Sequence, residues 1–442
     1  MRKKTRFLYL ALALFLSGHG SAIALTATPI DDVTVTALTI SQTLMPGLGI
    51  TGLTTLGGDE ALGIFTGTTP VDGVSIPTGI ILSTGRVENV PGPNFGESNG
   101  QHLRAGDPAL DALIAGPTLD AAGVQFSFTP TQPVAIFNIV FSSDEYMTGV
   151  GGSNDVFGLF INGTNIALVP GTLNPMSVLN IDKILTPTLF KDNDHSPLGA
   201  PSAFAIEADG MTRVMKARVL LTPGVAHTLK VVIADGPVVP GAADDFGDST
   251  VFMAPAKFLT PRFGDVAFAN IFLEYVEEVL TEGITLGCSA NPLLYCPGDL
   301  VNRGQMAAFL ARAVDGVDPT ACLGTVFPDV PVGYPFCAHI ERVAALGIAL
   351  GFVDGTFKPA DLVNREQMAA FLIRGVEGNP AGTCAVQPFT DVTVPNVFCK
   401  HIERIRDLEI TLGFADGTYK PLDTVNREQM AAFLARAFLG LF

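Results

Sequence analysis

Two kinds of hydrophobic pattern divide the chain. Over residues 25–258 the apolar positions come in short runs, either unbroken or alternating. Examples are Gly79-Ile-Ile-Leu-Ser-Thr-Gly85, Gly123-Val-Gln-Phe-Ser-Phe128, Val134-Ala-Ile-Phe-Asn-Ile-Val-Phe141, Val156-Phe-Gly-Leu-Phe-Ile161 and Thr228-Leu-Lys-Val-Val-Ile-Ala234. Runs of this length read as strands, and turn formers such as Pro91-Gly-Pro93, Asn162-Gly163 and Pro223-Gly224 separate them. The spacing predicts an all-β sandwich or jelly roll, with one short helix over Leu103–Ile114. Beyond residue 258 the apolar period shifts to threes and fours. Ile271, Phe272, Tyr275, Val276, Val279 and Leu280 mark one amphipathic helix, and Met306, Phe309 and Leu310 mark the buried stripe of another.

The helical part is a repeat. Asn302-Arg-Gly-Gln-Met-Ala-Ala-Phe-Leu310 returns as Asn364-Arg-Glu-Gln-Met-Ala-Ala-Phe-Leu372 and again from Asn426 to Leu434. Phe263-Gly-Asp-Val266 matches Phe327-Pro-Asp-Val330 and Phe389-Thr-Asp-Val392. Between these blocks lie Gly283-Ile-Thr-Leu-Gly287, Gly347-Ile-Ala-Leu-Gly351 and Glu409-Ile-Thr-Leu-Gly413. Three ordered blocks, three times over, define a triplicated helix–loop–helix unit. Asp354-Gly355 and Asp416-Gly417 mark tight turns in the loops. The second helix of each unit opens on Asn302, Asn364 or Asn426 as N-cap, with Gln305, Gln367 or Gln429 at capping-box spacing.

All six cysteines fall in this last part. Cys322 and Cys337 flank Phe327 as Cys384 and Cys399 flank Phe389, while the first unit holds Phe258 and Leu273 there and carries Cys288 and Cys296 in a loop two residues longer. The economical pairing is one disulfide per unit: Cys288–Cys296, Cys322–Cys337 and Cys384–Cys399. A loop of 15 residues closed this way contributes about 3 kcal/mol in the chain-entropy model. The alternative is a pair of three-ligand metal sites, Cys322, Cys337 and His339, and Cys384, Cys399 and His401. It lacks an evident fourth ligand.

Charge narrows the partners. The chain carries a net charge of −17, with −13 on residues 25–258 and −8 on the repeat. A nucleic-acid partner is excluded on this balance, since phosphate binding needs a basic footprint. Export is expected. Arg2, Lys3, Lys4 and Arg6 precede an apolar core over Phe7–Leu16, and Ala22-Ile-Ala24 supplies a cleavage site, so residues 1–24 read as a signal peptide. No later segment is apolar over the roughly 20 residues a membrane span requires. An oxidising destination agrees with disulfides.

The triplicate pattern resembles the S-layer homology module in its usual set of three, over residues 259–440. Phe-x-Asp-Val, Gly-Ile-x-x-Gly, Asp-Gly-Thr-Phe-x-Pro and the Arg-bearing helix start occur in family order. The modules are expected at 259–320, 321–383 and 384–442. The resemblance implies an α-helical triple module in a pseudo-threefold arrangement, with grooves between modules that bind cell-wall polysaccharide or peptidoglycan, often acidic or pyruvylated, without covalent attachment. The chain has Asn-Arg-Gly-Gln once and Asn-Arg-Glu-Gln twice where the family usually has Thr-Arg-Ala-Glu. Arg303, Arg365 and Arg427 stand at the first helical position, where the helix dipole disfavours a cation by about 0.3–1 kcal/mol. Free backbone N–H groups beside an Arg make an anion site, so these three are the candidate glycan-binding residues. The competing reading pairs each Arg with a carboxylate, from Asp265, Asp329 or Asp391.

The first part resembles the choice-of-anchor L domain, a bacterial surface ectodomain with varied C-terminal anchors. The motifs are Gly79-Ile-Ile-Leu-Ser-Thr-Gly85, Ser142-Ser-Asp-Glu-Tyr146, Asn154-Asp-Val-Phe-Gly-Leu-Phe160, Asn165-Ile-Ala-Leu-Val-Pro-Gly-Thr172, Ile233-Ala-Asp235 and Asp248-Ser-Thr-Val-Phe252, in that order. The resemblance implies a secreted β-rich domain and no established activity. Asp144, Glu145, Asp155 and Asp235, with Asp244, Asp245 and Asp248 nearby, are candidate oxygen ligands for Ca²⁺; turn-forming Asp on solvated loops is the alternative. His-Glu-x-x-His and the phosphate-loop pattern are absent from the sequence, and His102, His195, His227, His339 and His401 form no catalytic motif. The expected function is a non-enzymatic surface protein, anchored by the repeat and displaying the sandwich to an unknown outward ligand. The alternative is a wall-attached glycan hydrolase with its carboxylates in residues 25–258.

Overall fold

The computed structural model describes residues 25–441 except 32, 68–72, 95–103, 115, 147–153, 185, 195–202, 237–246, 385 and 415. The segment read as a signal peptide, and Asp244, Asp245, His102 and His195, lie outside the described residues.

The first part runs β1 (Thr26–Pro29), α1 (Ala37–Leu44), β2 (Ile50–Leu56), β3 (Leu62–Thr66), β4 (Thr78–Ser83), α2 (Pro108–Asp111), β5 (Leu119–Phe128) and β6 (Val134–Ser143). It continues β7 (Val156–Ile161), β8 (Thr164–Asn165), β9 (Met176–Ser177), β10 (Phe190–Asp192), β11 (Gly210–Thr212), β12 (Met215–Leu220), β13 (His227–Asp235), β14 (Ser249–Met253) and β15 (Lys257–Leu259). The helix expected over Leu103–Ile114 is one turn, α2, capped by Asp107 and opened by Pro108; Leu103 is not among the described residues.

Two antiparallel sheets face each other. One has the order β1-β3-β4-β14-β6-β11-β10, with β12 and β15 also on β6; the other is β2-β5-β13-β7-β8, with β9 on β7. Strand β6 organises the first sheet. One edge pairs with β14 over Ile139–Ser143 and with β15 over Val134–Ile136, and the other edge pairs with β12 and β11. Its alternate residues Ala135, Phe137, Ile139 and Phe141 fill the space between the sheets with Val124, Phe126, Leu159, Val231 and Ile233. The opposite face is buried too. Val140 joins a cluster with Phe65, Ile81 and Phe252, while Val134 and Ile136 pack into the helical part. Burial on both faces is why this strand reads as a nearly unbroken apolar run.

The second part contributes α3 (Leu273–Thr281), α4 (Arg303–Asp315), α5 (Cys337–Ala345), α6 (Arg365–Val376), α7 (Cys399–Asp407) and α8 (Arg427–Leu439). Helices α4, α6 and α8 pack on one another, and each also packs on the first helix of the next module in cyclic order: α4 on α5, α6 on α7, α8 on α3. All three capping boxes are present; Gln305 N donates to Asn302 Oδ1 at 2.9 Å and Asn302 N donates to Gln305 Oε1 at 3.1 Å. Met306, Phe309 and Leu310 and their repeats are buried in a single core. Just before the helices a closed ring of backbone hydrogen bonds circles the pseudo-threefold axis. Val301 N donates to Val425 O, Val425 N to Val363 O, and Val363 N to Val301 O, at 3.0, 3.0 and 2.9 Å. The cysteines join as Cys288–Cys296, Cys322–Cys337 and Cys384–Cys399. Sulfur committed to a disulfide is no thiolate ligand, which removes the metal alternative. His339 Nε2 instead meets Asp318 Oδ1 at 2.8 Å, and His401 Nε2 meets Asn379 Oδ1 at 3.1 Å.

The two parts are docked through placed charges despite their shared acidity. Lys216 Nζ lies 2.7 Å from Glu274, Lys257 Nζ lies 2.6 Å from Glu278, Arg218 donates to the carbonyls of Asn270 and Ile271, and Arg213 pairs with Glu409.

Candidate functional site at the module junctions

Each junction is built from an aspartate in one module and an arginine in the preceding one. The Asp of Phe-x-Asp-Val is spent on its own loop. Asp329 accepts from Phe357 N and Lys358 N at 2.8 and 2.7 Å, Asp391 accepts from Tyr419 N and Lys420 N at 2.8 and 2.7 Å, and Asp265 accepts from Tyr295 N and Cys296 N at 2.7 and 2.6 Å. The pairing of these aspartates with the arginines, one of the two sequence readings, is therefore not what the structure has. The Asp fixes a turn, and the turn presents a carbonyl to the neighbouring module.

The arginines receive those carbonyls. Arg303 Nε donates to Phe357 O at 2.8 Å, Arg365 Nε to Tyr419 O at 2.6 Å, and Arg427 Nε to Tyr295 O at 2.6 Å. Tyr419 and Tyr295 return the contact through their hydroxyls, to Arg365 O at 2.8 Å and Arg427 O at 2.6 Å. Each guanidinium lies against aromatic rings. Arg303 is 4.7, 4.6 and 5.4 Å from the centroids of Phe352, Phe357 and Phe371, and Arg365 is 4.8, 4.6 and 5.4 Å from Phe414, Tyr419 and Phe433. Arg427 meets two, Tyr295 and Phe309, at 4.8 and 5.4 Å. All three arginines are at most 6% exposed, and burial lowers their pKa from the ordinary arginine value against the pull of nearby carboxylates. The same burial raises the Tyr295 and Tyr419 hydroxyls.

The helix N-termini differ from the sequence reading in one respect. Their first N–H groups are occupied: Arg303 N donates to Asp361 O and Gly304 N to Pro359 O, with the same pattern at Arg365 and Arg427. An anion at these junctions would meet side-chain donors, and the backbone amides serve the neighbouring module. The Nη nitrogens of Arg303 and Arg365 donate to no protein group among the described residues. Of the three arginines, Arg427 alone has one, Nη2, buried without a partner. The ring and carbonyl partners were not singled out from sequence, although Phe357-Lys-Pro359, Tyr419-Lys-Pro421 and Tyr295-Cys-Pro297 recur at one register.

The sequence-chosen acids gather at one end of the sandwich. Asp144 and Glu145 follow β6, Asp155 precedes β7, and Asp235 ends β13. Glu145, Asp155 and Asp235 are at most 3% exposed. Asp155 accepts from Ser249 Oγ at 2.6 Å and from Gly236 N at 3.0 Å, and Asp144 Oδ2 lies 3.5 Å from Asp248 N. Asp155 therefore ties β13 and β14 to the start of β7.

The profile of the choice-of-anchor L domain matches residues 30–258, more than half of the chain. The chain belongs to the choice-of-anchor L family. Its C-terminal part matches the S-layer homology domain over 326–369 and 388–431. Those are the second and third modules, and the first carries the same Asp–carbonyl–Arg arrangement through Asp265, Tyr295 and Arg427. Over 184 residues the chain is 26% identical to an endoglucanase of Bacillus sp. (strain KSM-635), covering 39% of this chain and 18% of that protein. Over 139 residues it is 27% identical to S-layer protein EA1 of Bacillus anthracis and to an S-layer protein of Bacillus licheniformis, covering 31% of this chain and 16% and 15% of theirs. The chain spans less than a fifth of the length of these curated relatives. Among solved structures, a β-glucosidase from Kluyveromyces marxianus matches 40% of this chain and 14% of its own at 12% identity and a TM-score of 0.16, too low to carry an argument. A choice-of-anchor L domain followed by S-layer homology modules is the make-up of a secreted protein anchored at the bacterial cell surface. No described helix is long and apolar enough to cross a membrane.

Proposed function

We propose that the chain is a non-enzymatic surface protein whose helical trefoil grips a wall polysaccharide or peptidoglycan at the module junctions while the choice-of-anchor L sandwich faces outward to bind or to cover. The observation that carries this reading is the state of the junction arginines: buried, fixed through Nε and ring contacts, with Nη donors of Arg303 and Arg365 uncommitted to protein. Guanidiniums held this rigidly lose little entropy when they meet a polymer's oxygens. Bulk attraction to an anionic wall is opposed by the net charge of −17, so recognition falls to placed cations.

The test is sedimentation of the full chain with purified wall sacculi. Retention is expected for the natural chain. A large loss is expected for the triple variant Arg303→Lys, Arg365→Lys, Arg427→Lys, which keeps charge and removes the fork geometry. Equal retention of a triple variant with an unchanged circular dichroism spectrum removes the arginines from the mechanism. Release of the natural chain by soluble wall-polysaccharide fragments gives a check that needs no variant. For the non-enzymatic part, Asp155 is fully buried and both its oxygens accept protein hydrogen bonds, which suits a structural acid. Reducing sugar released from wall glycan by the natural chain, and lost on Glu145→Gln or Asp155→Asn, would establish the hydrolase instead. Calcium at Asp144, Glu145, Asp155 and Asp235 is likewise a proposal, resting on the gathering of these carboxylates at one end of the sandwich. It expects a rise in melting temperature with added Ca²⁺ that chelation reverses.

A further inference from the structure

A half-open cleft lies on the seam between the sandwich and the third module, and none of the three junction arginines lines it. Its volume is about 280 Å³, close to the lower bound of roughly 300 Å³ for sites that hold small organic molecules. The sandwich supplies Arg213, which follows β11, together with Thr188, Leu189 and Val214. The third module supplies Glu409, Leu412 and Arg436. Seams of this kind favour binding sites, because each part brings groups that the other lacks.

The polar groups of the cleft are only half used by the protein. Arg213 Nη1 pairs with Glu409 Oε1, which also lies 3.5 Å from Lys191 Nζ. Arg436 Nη1 donates to Ile410 O at 3.2 Å, and its Nη2 donates to Tyr275 Oη at 3.0 Å. Among the described residues, Arg213 Nη2, Arg436 Nε and Glu409 Oε2 share a hydrogen bond with no protein group. Of the unpartnered polar atoms on these three residues only Arg213 Nε is buried, so the other three are accessible. The carboxylate is held there against backbone preference. Its equivalents in the first two modules are Gly283 and Gly347, and Glu409 keeps their left-handed backbone at φ 56°. A side chain is disfavoured in that conformation, and residues held in it cluster at ligand clamps. Charge sets the sign of what can enter. Arg213, Lys191 and Arg436 stand against the single carboxylate of Glu409. The Tyr275 hydroxyl, beside Arg436, registers the excess. Burial is the largest influence on it and raises its pKa, yet Lys216 and Arg436 together outweigh burial and leave it below the ordinary tyrosine value.

We propose that the seam cleft binds a small aliphatic carboxylate with a hydrogen-bond donor beside the carboxyl, an amino or hydroxy acid of about leucine's size. The carboxylate meets Arg213 Nη2 and Arg436 Nε, and the neighbouring amino or hydroxyl group donates to Glu409 Oε2. The aliphatic part lies against half-buried Leu189, Val214 and Leu412. Because the two halves of the site belong to different parts of the chain, a bound molecule also ties the sandwich to the trefoil. The site works whether or not the junctions hold wall polymer.

The experiment is calorimetric titration of the full chain with leucine, with the hydroxy acid of the same skeleton, and with leucinamide, which lacks the carboxylate. A single site per chain is expected for leucine, the hydroxy acid or both, and whichever binds identifies the donor that Glu409 receives. Leucinamide is expected to bind about tenfold or more weakly. Scanning calorimetry should show the bound acid drawing the sandwich and trefoil transitions together. Thr188→Phe, at a half-buried residue outside the ion pairs of the seam, fills the cleft and is expected to abolish the heat. Arg436→Gln is expected to weaken binding about tenfold. Glu409→Gly is expected to erase the preference for leucine over the same carboxylate with no amino group. Heat retained by Thr188→Phe places the binding elsewhere and overturns the assignment. Leucinamide as tight as leucine overturns the carboxylate class, a check that needs no variant. No heat from either acid overturns the site altogether, and sacculus retention in that case leaves the anchor reading standing.

Discussion

The sandwich and the trefoil solve the same problem by opposite means. The sandwich concentrates its packing on one strand: β6 pairs with four others and is buried on both faces. It uses no cysteine. The trefoil distributes its packing over three modules, each too small to bury a sufficient core alone, and holds them by contacts that run from one module to the next and back to the first. In the sandwich each side chain has a private role, whereas in the trefoil each role is repeated three times, so a position that breaks the repeat is conspicuous. Gly304, Tyr334, Cys288 and Glu409 are all breaks of this kind.

The largest difference between the two parts is expected when the ring of modules is opened. Arg365→Ala removes the donor to Tyr419 O and leaves a void between three rings, a loss of about 2–4 kcal/mol. Denaturant unfolding followed by circular dichroism should show the trefoil transition moving down while the sandwich transition holds. The control is Arg86→Ala in the sandwich, whose 3.2 Å pair with half-exposed Glu88 should contribute under about 0.5 kcal/mol. Disulfides come next. Cys322→Ser/Cys337→Ser opens a separation of 15 residues and should cost about 3 kcal/mol, and Cys288→Ser/Cys296→Ser, over 8, about 2.5 kcal/mol. Calorimetry with and without reductant should move the trefoil alone.

These contrasts also decide what could be read from the chain. The repeat put the arginines, the caps and the buried Met-Ala-Ala-Phe-Leu stripe at fixed registers, and the capping boxes and buried stripe are in place. It did not show that Asp329 binds its own loop, because a one-dimensional repeat says which residues are equivalent and not which module each one touches. The cyclic hand-over from Asp329 to Phe357 O to Arg303 is a tertiary fact. In the sandwich the strand runs were legible, since Val134–Phe141 is apolar beyond what a half-exposed strand tolerates. Their order in the sheets was not, since β6 pairs with β14 and β15 more than a hundred residues later, and no local pattern encodes a partner. The gathering of Asp144, Asp155 and Asp235 depends on that same long-range pairing.

Acid distinguishes the third module of the trefoil from the second. His401 sits beside Arg374 and Lys400 with its Nδ1 buried and without a partner, and its Nε2 is 3.1 Å from Asn379 Oδ1. Burial first, then the two cations, lowers its pKa to about 4. The unfolded chain binds a proton at about 6.5 and the folded one only at about 4. This contribution to stability is therefore whole above pH 6.5, declines as pH falls, and levels off below 4. A loss of about 3 kcal/mol is expected across that window. The slope should flatten in His401→Gln, whose amide can still donate to Asn379. The equivalent His339 faces Asp318 instead, and His339→Gln should leave the His401-dependent slope in place.

The smallest net effect is expected at Glu409, because two terms oppose there. The first and second modules place Gly283 and Gly347 at this position with φ of 70° and 72°, a left-handed turn that glycine adopts without strain. Glu409 adopts φ of 56° in the same turn, at a cost of about 1–2 kcal/mol for a residue with a Cβ. Its carboxylate reaches the sandwich, where it pairs with Arg213 and lies 3.5 Å from Lys191 Nζ. Lys191 is buried, so this pair is better shielded from solvent than a surface one. Glu409→Gly relieves the strain and deletes the link, and the two should nearly cancel in total stability. They do not cancel in coupling. The variant trefoil should melt at or above the natural temperature while the two parts unfold more independently, widening the gap between their calorimetric transitions. A variant that melts lower with the parts still unfolding together would show that the turn at Glu409 serves the module alone and that docking rests on Glu274, Lys216 and Lys257.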